Sequence, residues 1–171
     1  MHLTPADRDA LRGLRLLVFD FDGVFTDNAV WVREDGAEIV RCSRFDGMGL
    51  SVLRQAGVAP EMLVLATEEN PVVSARCRKL KLRAVQGVAD KGARLRELSA
   101  ELGIPLAETG YVGNDVNDIE CLRLVGLPIV VADAHPDVLP LGRLRTTRLG
   151  GHGAVREICD LLLKIRSAPL P

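Results

Sequence analysis

The 171-residue sequence predicts an α/β fold: one domain over residues 1–171, in three layers, with a doubly wound parallel sheet. Three observations predict it. Short apolar runs alternate with amphipathic stretches at the spacing of β-α-β units. The run Leu16–Phe19 is apolar at every position, as in a central strand covered on both faces. Polar residues directly follow several of these runs, at the edge where parallel sheets bind ligands.

The elements follow in order. Thr4, Pro5 and Asp7 form a capping sequence for a first helix, which Gly13 ends. The first strand comes next, and then a hairpin is predicted over residues 29–41. Periodicity and turn residues predict the rest: a loop at 43–49 leading into a helix that ends at Gly57, a strand at 61–66, a helix from Asn70–Pro71 to Leu80, a short strand at 83–86, a helix at 90–102, a strand ending at Gly113, a helix to Leu124, a strand at 127–132 and an amphipathic helix at 153–165.

Two carboxylates, Asp20 and Asp22, follow the first strand. Aspartate is unfavourable in a strand and costly in a core, so this pair indicates a site. Thr67, Asn114 and Asp115 follow two further strands. Because the carboxyl ends of parallel strands share one edge of the sheet, these five residues are predicted to lie together.

Composition excludes several classes of function. Apolar residues make up 47% of the chain, charged residues 26%, and the net charge is −1. The sequence has no basic stripe, so no nucleic-acid partner is expected. It has no apolar run of membrane-spanning length, so no membrane partner is expected. Four scattered cysteines are typical of reduced thiols, and no signal-peptide pattern precedes them, which predicts a cytoplasmic location.

The pattern D-x-D-G-x-x-T-D at Asp20–Asp27 resembles the first signature of the haloacid dehalogenase superfamily of phosphohydrolases. Thr67, Lys91 within V-A-D-K-G, and the loop G-N-D-V-N-D at Gly113–Asp118 resemble the other three signatures in the same order. The resemblance implies a phosphatase. Asp20 would be the nucleophile that forms an aspartyl phosphate, with Asp22 as acid and base. Thr67 and Lys91 would bind the phosphate oxygens.

The resemblance also implies Mg²⁺ as cofactor. Its ligands would be a carboxylate of Asp20, the backbone carbonyl of Asp22, and an oxygen of Asn114 or Asp115. The family's fourth signature usually begins G-D-D, whereas Asn114 stands in the first acidic place here. A carboxamide oxygen still ligates Mg²⁺, but with less charge, and Asp115 could compensate.

The predicted hairpin stands where larger members carry a cap domain. Together with the sequences at 43–49, 131–136 and 150–163, it resembles the capless branch of the family. That branch contains 3-deoxy-octulosonate 8-phosphate phosphatase, 2-keto-3-deoxynononate 9-phosphate phosphatase and the C-terminal domains of some acylneuraminate cytidylyltransferases. The resemblance implies a small-molecule sugar-acid phosphate as substrate, and a homotetramer in which a neighbouring subunit covers the site.

The second signature departs from the octulosonate enzymes. Those usually read T-G-R, whereas this chain reads T-E-E-N from Thr67. An acidic residue here, with Arg76 and Lys79 one helical turn apart, is closer to the nononate and cytidylyltransferase-linked members. The resemblance implies that Glu69, Arg76 and Lys79 help to recognise the sugar acid. A solvated helix face is the alternative interpretation of the basic pair.

Two other functions stay open. One is a catalytically weak oligomerisation or regulatory module associated with an acylneuraminate cytidylyltransferase, which Asn114 and the missing T-G-R favour. The joint presence of Asp20, Asp22, Thr67 and Lys91 argues against it. The other is a phosphoacceptor receiver domain. In that class the acceptor aspartate follows the third strand, whereas the pair here follows the first long strand.

Overall fold

A six-stranded parallel sheet forms the middle layer of the computed structural model, which describes residues 3–167. The strand order is β5-β4-β1-β6-β7-β8, and a separate two-stranded hairpin is formed by β2 and β3. The strands are β1 Leu16–Phe19, β2 Thr26–Val32, β3 Glu38–Cys42, β4 Glu61–Leu65, β5 Arg83–Val85, β6 Thr109–Gly113, β7 Leu127–Val130 and β8 Leu144–Arg145. The helices are α1 Pro5–Gly13, α2 Arg44–Gln55, α3 Val72–Leu80, α4 Lys91–Leu102, α5 Ile119–Leu124 and α6 Ala154–Arg166.

Strand β1 lies at the point where the chain changes direction across the sheet. The next strands of the sheet along the chain, β4 and β5, lie on one side of β1, and β6 to β8 lie on the other. Right-handed crossovers therefore place α2 and α3 on one face and α4 and α5 on the opposite face. The crevice at such a switch point is where open parallel sheets bind ligands. The predicted α/β fold class is confirmed.

The sheet is buried on both faces. All four residues of β1 are 0% exposed, which explains an apolar run without alternation. Helix α2 packs closely on α6, and α1 packs on the other end of α6. Near the end of α6 the Arg166 guanidinium donates to four backbone carbonyls, those of Leu11, Arg12, Leu14 and Val58.

Most elements agree with the sequence-based prediction. The Thr4 hydroxyl accepts from Asp7 N and the Asp7 carboxylate accepts from Thr4 N, so the capping box of α1 is present. The hairpin is present with longer strands than predicted. The predicted start of α3, with Asn70 as N-cap and Pro71 as first helical residue, is wrong by one residue: the helix begins at Val72 with Pro71 at the N-cap, although the Asn70 side chain accepts from Val72 N at 3.0 Å. None of the helices within residues 3–167 is both long and apolar enough to cross a membrane.

Residues 43–49 were predicted as a loop, and this is wrong. Ser43 caps α2 by accepting from Phe45 N at 3.1 Å, and the helix begins at Arg44. Its glycines obscured the pattern. A side chain on Gly49 would collide with Arg156 and Cys159 of α6, so glycine serves close helix packing there rather than a turn.

Candidate active site

Asp20 lies at the carboxyl edge of the sheet because β1 ends one residue before it. Its backbone N donates to Val112 O at 2.9 Å, which extends the pairing of β1 with β6. Its side chain is largely buried and accepts from Phe21 N at 2.7 Å. Both contacts fix the carboxylate at the opening of the crevice.

Lys91 is the first residue of α4 and is 2% exposed. Asp90 starts the helix by accepting from Ala93 N at 2.8 Å, which directs the lysine into the site. Its Nζ lies 2.7 Å from Asp20 Oδ1 and 2.9 Å from Asp118 Oδ1. One buried ammonium therefore bridges two buried carboxylates.

Asp118 is a site residue that the sequence-based prediction did not include. It is 0% exposed and accepts from the Tyr111 hydroxyl at 2.7 Å and from Asn114 N at 2.8 Å. It also accepts from Asp115 N, as a helix-capping residue does. An aspartate at this position usually caps the start of a helix. Its second role is to accept a hydrogen bond from the Lys91 ammonium. Because Lys91 is 27 residues away along the chain, the local sequence does not reveal this contact.

The electrostatics follow from burial and charge. Burial, together with the charge of Asp118, raises the pKa of Asp20 above that of an exposed aspartate, although the Lys91 ammonium opposes this. Burial lowers the pKa of Lys91, but the charges of Asp20 and Asp118 outweigh it and the pKa is raised. Lys91 thus supplies a fixed positive charge beside Asp20.

Asp22 is aimed into the crevice by its turn. The Thr26 hydroxyl donates to Asp22 Oδ1 at 3.2 Å and accepts from Gly23 N at 3.0 Å. Burial raises the pKa of Asp22; the hydrogen bond from Thr26 opposes this, and the charge of Glu68 adds to the rise. A carboxyl group whose proton is held more tightly than usual is suited to protonate a leaving group.

Asp20 Oδ2, Asp22 O and the carboxamide of Asn114 meet at the mouth of the crevice. The carboxamide of Asn114 lies 3.3 Å from Asp20 Oδ2 and 2.8 Å from Asp22 O. With its Nδ2 toward them it donates to both oxygens, and with the amide turned over it would present Oδ1 to a cation at the same point. Gly23 makes room for this contact, because a side chain on it would overlap the Asn114 carboxamide. Converging carboxylate, carbonyl and carboxamide oxygens are the ligands that Mg²⁺ prefers. The residues present therefore fit the implied cofactor.

Asn114, rather than Asp115, presents its side chain to this oxygen cluster. Asp115 Oδ1 accepts from Val116 N at 2.7 Å and caps its own turn. Among residues 3–167, no group of three His, Cys, Asp or Glu side chains is placed to hold a metal ion. A Mg²⁺ site here therefore depends on the amide and carbonyl oxygens.

The remaining predicted residues come from the segment 67–79, which runs from the end of β4 into α3. Thr67 is exposed at the end of β4, and its hydroxyl accepts from Asn117 Nδ2 at 3.4 Å, which brings it to the fourth-signature loop. Arg76 Nη2 donates to Ser43 O at 2.8 Å, at the start of α2. Glu69 and Lys79 are exposed.

Comparisons with known proteins agree with this geometry. A family model described as haloacid dehalogenase-like hydrolase matches residues 76–148. The 3-deoxy-D-manno-octulosonate 8-phosphate phosphatase KdsC of Escherichia coli K12 is 34% identical over 163 residues, covering 93% of this chain and 86% of the relative.

Solved structures give the same picture. A structure from Streptomyces avermitilis assigned to the HAD hydrolase family is 46% identical, with a TM-score of 0.84, and the match covers 88% of this chain and 91% of that one. The octulosonate 8-phosphate phosphatase of Moraxella catarrhalis, solved with magnesium ion, phosphate ion and KDO, is 30% identical with a TM-score of 0.89, covering 96% and 94%.

The chain belongs to the haloacid dehalogenase-like hydrolases and is a phosphoric monoester hydrolase. Its curated relatives within that family include the KdsC phosphatases, which confirms the predicted resemblance to the capless branch.

Proposed function

We propose that the protein hydrolyses the phosphate monoester of a 2-keto-3-deoxy sugar acid with Mg²⁺ as cofactor. Octulosonate 8-phosphate is the first candidate, because the curated relatives carry that name, and nononate and neuraminate 9-phosphates are the alternatives. The observation that carries the proposal is the position of Asp20, between the Lys91 ammonium and the oxygen cluster with Asn114.

The proposed reaction has two steps. The Asp20 carboxylate attacks phosphorus, the bond between phosphorus and the ester oxygen breaks, and Asp22 gives its proton to the departing alcohol. Asp22 then takes a proton from water as the water oxygen attacks phosphorus, and the bond between phosphorus and the Asp20 oxygen breaks. Inorganic phosphate leaves, and both aspartates return to their starting states.

Two groups are proposed to stabilise the negative charge of the phosphate oxygens, Lys91 and Mg²⁺. Lys91 supplies a positive charge from a fixed, buried position, and it needs no rearrangement during the reaction. Mg²⁺, when bound, supplies another by acting as a Lewis acid, and Asp20 Oδ2, Asp22 O and Asn114 Oδ1 would hold it. The Thr67 hydroxyl, at the end of the neighbouring strand β4, is proposed as a further phosphate ligand.

Recognition of the sugar acid is proposed for helix α3 and for Glu69, which precedes it. Glu69 and Lys79 are exposed and free of the core, so they can meet substrate. Arg76 already uses one nitrogen on Ser43 O, so its proposed contribution is a fixed positive charge near the start of α2.

A homotetramer is proposed as the working assembly. Hairpin β2–β3 carries Val30, Trp31, Val32 and Ile39 with exposed fractions from 49% to 64%. Trp31 and Ile39 are paired in the hairpin register and share one face, and Val30 and Val32 lie on the other. Large apolar side chains exposed together on a small element are typical of an interface.

Replacing Asp20 with Asn tests the proposed reaction. The amide is a poor nucleophile, so the rate of phosphate release from octulosonate 8-phosphate should fall on the order of 10⁴-fold or more. Circular dichroism should show an intact fold, and Asp35→Asn, in the exposed hairpin turn, is the matched control. A fully active Asp20→Asn protein would refute the proposal.

A non-catalytic module associated with a cytidylyltransferase is the second candidate. The amide of Asn114 in an acidic place favours it, because one negative charge is missing from the Mg²⁺ site. Folded wild-type protein that binds Mg²⁺ weakly and releases no phosphate from any of the three sugar-acid phosphates would support this candidate instead.

A further inference from the structure

The segment between β5 and α4 is hydrogen-bonded to the loop that follows β4. Ala66 N donates to Val85 O at 2.9 Å, and Val88 N donates to Ala66 O at 3.2 Å, which continues the parallel pairing of β4 with β5. Beyond the strands, Gly87 N donates to Glu68 O at 3.1 Å. The backbone of the loop after β4 is therefore fastened to the segment that leads into α4.

Gln86 adds a side-chain contact to this fastening. Its Nε2 donates to Glu69 O at 2.9 Å and to Asn70 O at 3.3 Å. A carboxamide nitrogen carries two hydrogens, so it can serve both carbonyls at once. The Gln86 Oε1 is buried and has no hydrogen-bond partner among residues 3–167, which is unfavourable. Burial of this oxygen without a partner indicates that Gln86 is placed for the two bonds that its nitrogen makes.

Thr67 lies within the fastened loop. It is exposed, so packing against the core does not fix its side chain. The residues on either side of it, Ala66 and Glu68, are held through their carbonyls by the segment before α4. The Thr67 hydroxyl accepts from Asn117 Nδ2 at 3.4 Å, which leaves its own hydrogen for a phosphate oxygen. The position of this hydroxyl therefore depends on the bonds that hold its loop.

We propose that Gln86 is a positioning residue for phosphate binding and acts through Thr67. By holding the carbonyls of Glu69 and Asn70, it fixes the path of the loop, so that the Thr67 hydroxyl meets the phosphate without rearrangement during the reaction. This inference rests on the proposed function, in which Thr67 is a phosphate ligand. The segment between β5 and α4 thus serves two parts of the site, because it also leads into Lys91.

The test replaces Gln86 with Met, which keeps the length of the side chain and removes both N–H donors. The value of kcat/KM for octulosonate 8-phosphate should fall about tenfold, because a small displacement of a group that binds the reacting phosphate lowers the rate by up to about 10²-fold. The inhibition constant of inorganic phosphate should rise. Gln55→Met is the matched control and should keep the wild-type values, because Gln55 is exposed at the end of α2 and its Nε2 donates to the Ser51 hydroxyl.

A double-mutant cycle with Thr67→Ala separates positioning from a general loosening of the fold. If Gln86 acts through Thr67, adding Gln86→Met to Thr67→Ala should lower kcat/KM by less than about twofold, against about tenfold in the wild-type background. A loosened fold would lower kcat/KM equally in both backgrounds. Gln86→Asn keeps the carboxamide but is one carbon too short to reach the two carbonyls, so it should give the same result if Gln86→Met does not fold.

An equal loss in both backgrounds, an unchanged kcat/KM in both Gln86 variants, or a fully active Thr67→Ala protein would overturn the inference. Wild-type protein that releases no phosphate from any of the three sugar-acid phosphates would instead overturn the proposed function on which it rests. The wild-type measurement therefore distinguishes the two failures.

Discussion

Asp46 is a buried carboxylate that lies outside the phosphate chemistry. It is 0% exposed in the first turn of α2, and its Oδ1 accepts from Arg156 N at 2.9 Å, so it also caps the start of α6. Its Oδ2 has no hydrogen-bond partner among residues 3–167. Burial raises the pKa of Asp46 to about 6, although the hydrogen bond from Arg156 N opposes this.

The stability of the protein should therefore depend on the protonation of Asp46. The folded-state pKa lies above the unfolded value of 3.8, so the native state binds the proton more tightly. The free energy of unfolding should fall as pH rises from about 4 through 6, by on the order of 2–3 kcal/mol, and the loss should be complete above that range. Asp46→Asn keeps the acceptor oxygen and removes the charge. It should be more stable than wild type at pH 8, with the difference vanishing near pH 4.

Urea unfolding at several pH values measures this difference. Asp137→Asn, at an exposed position, is the control and should shift stability little at any pH. A constant difference between Asp46→Asn and wild type across the pH range would contradict the prediction.

The site residues differ in how far sequence could identify them. Asp20 and Asp22 directly follow an apolar strand, so strand polarity alone places them at the crevice. Asp118 could not be assigned in this way, because its partners Tyr111 and Lys91 come from a different strand and a different helix. The sequence also could not show whether Asn114 or Asp115 faces the proposed Mg²⁺ site, because the turn after β6 sets the direction of each side chain.

At the scale of elements, the loop before α6 supports the turn that carries Asp22. Gly151 N donates to Val24 O at 3.0 Å, and Gly150 N donates to Asp133 Oδ1 at 2.9 Å. A side chain on Gly150 would overlap the carbonyl oxygen of Gly23. Two segments that are distant in sequence thus meet, backbone against backbone, beside the Asp22 turn, and the Asp133 side chain holds the loop from a third segment.

Gly150→Ala should therefore damage both stability and activity. The added methyl group has to displace the Asp22 turn, so we expect a loss of about 2 kcal/mol or more in the free energy of unfolding and a lower kcat. Gly13→Ala is the matched control, because its methyl group would meet no atom within 4 Å. Thermal unfolding and phosphate release measure both effects. Equal behaviour of the two variants would show that the close contact is unimportant.

Helices and strands were predictable where a pattern could repeat. Long elements such as α4 and α6 were found from their periodicity and their caps. Strand β8 was missed because Leu144–Arg145 is too short to show any alternation. The start of α2 was missed because its glycines serve contact with α6, and a local pattern cannot reveal a distant partner.

At the scale of the whole molecule, the hairpin is the part least covered by the rest of the chain. It forms its own two-stranded sheet, and its apolar side chains face outward. The same hairpin lines a cavity beside Asp22 through Glu38. An assembly built on the hairpin would therefore be coupled to the site.

Trp31→Glu should dissociate the proposed tetramer. Trp31 is 56% exposed in the isolated chain, and a buried charge at an interface is strongly unfavourable. Light scattering after size exclusion should show a smaller species, with lower activity at the same chain concentration. Trp31→Phe keeps the apolar surface and should stay assembled. A wild-type protein that is monomeric at micromolar concentration would contradict the proposed assembly.

The fastening of α6 has a consequence for the order in which the chain folds. Helix α6 is held at its start by Asp46 and at its end by the four carbonyls that Arg166 binds. Its partner α2 leaves the ribosome about a hundred residues earlier, and until α6 follows, the face of α2 around Gly49, which packs on Arg156 and Cys159, has nothing to cover it. The packing of α2 on α6 therefore forms late in synthesis. A nascent chain that stalls before α6 leaves this face of α2 exposed, and chaperones are expected to bind there.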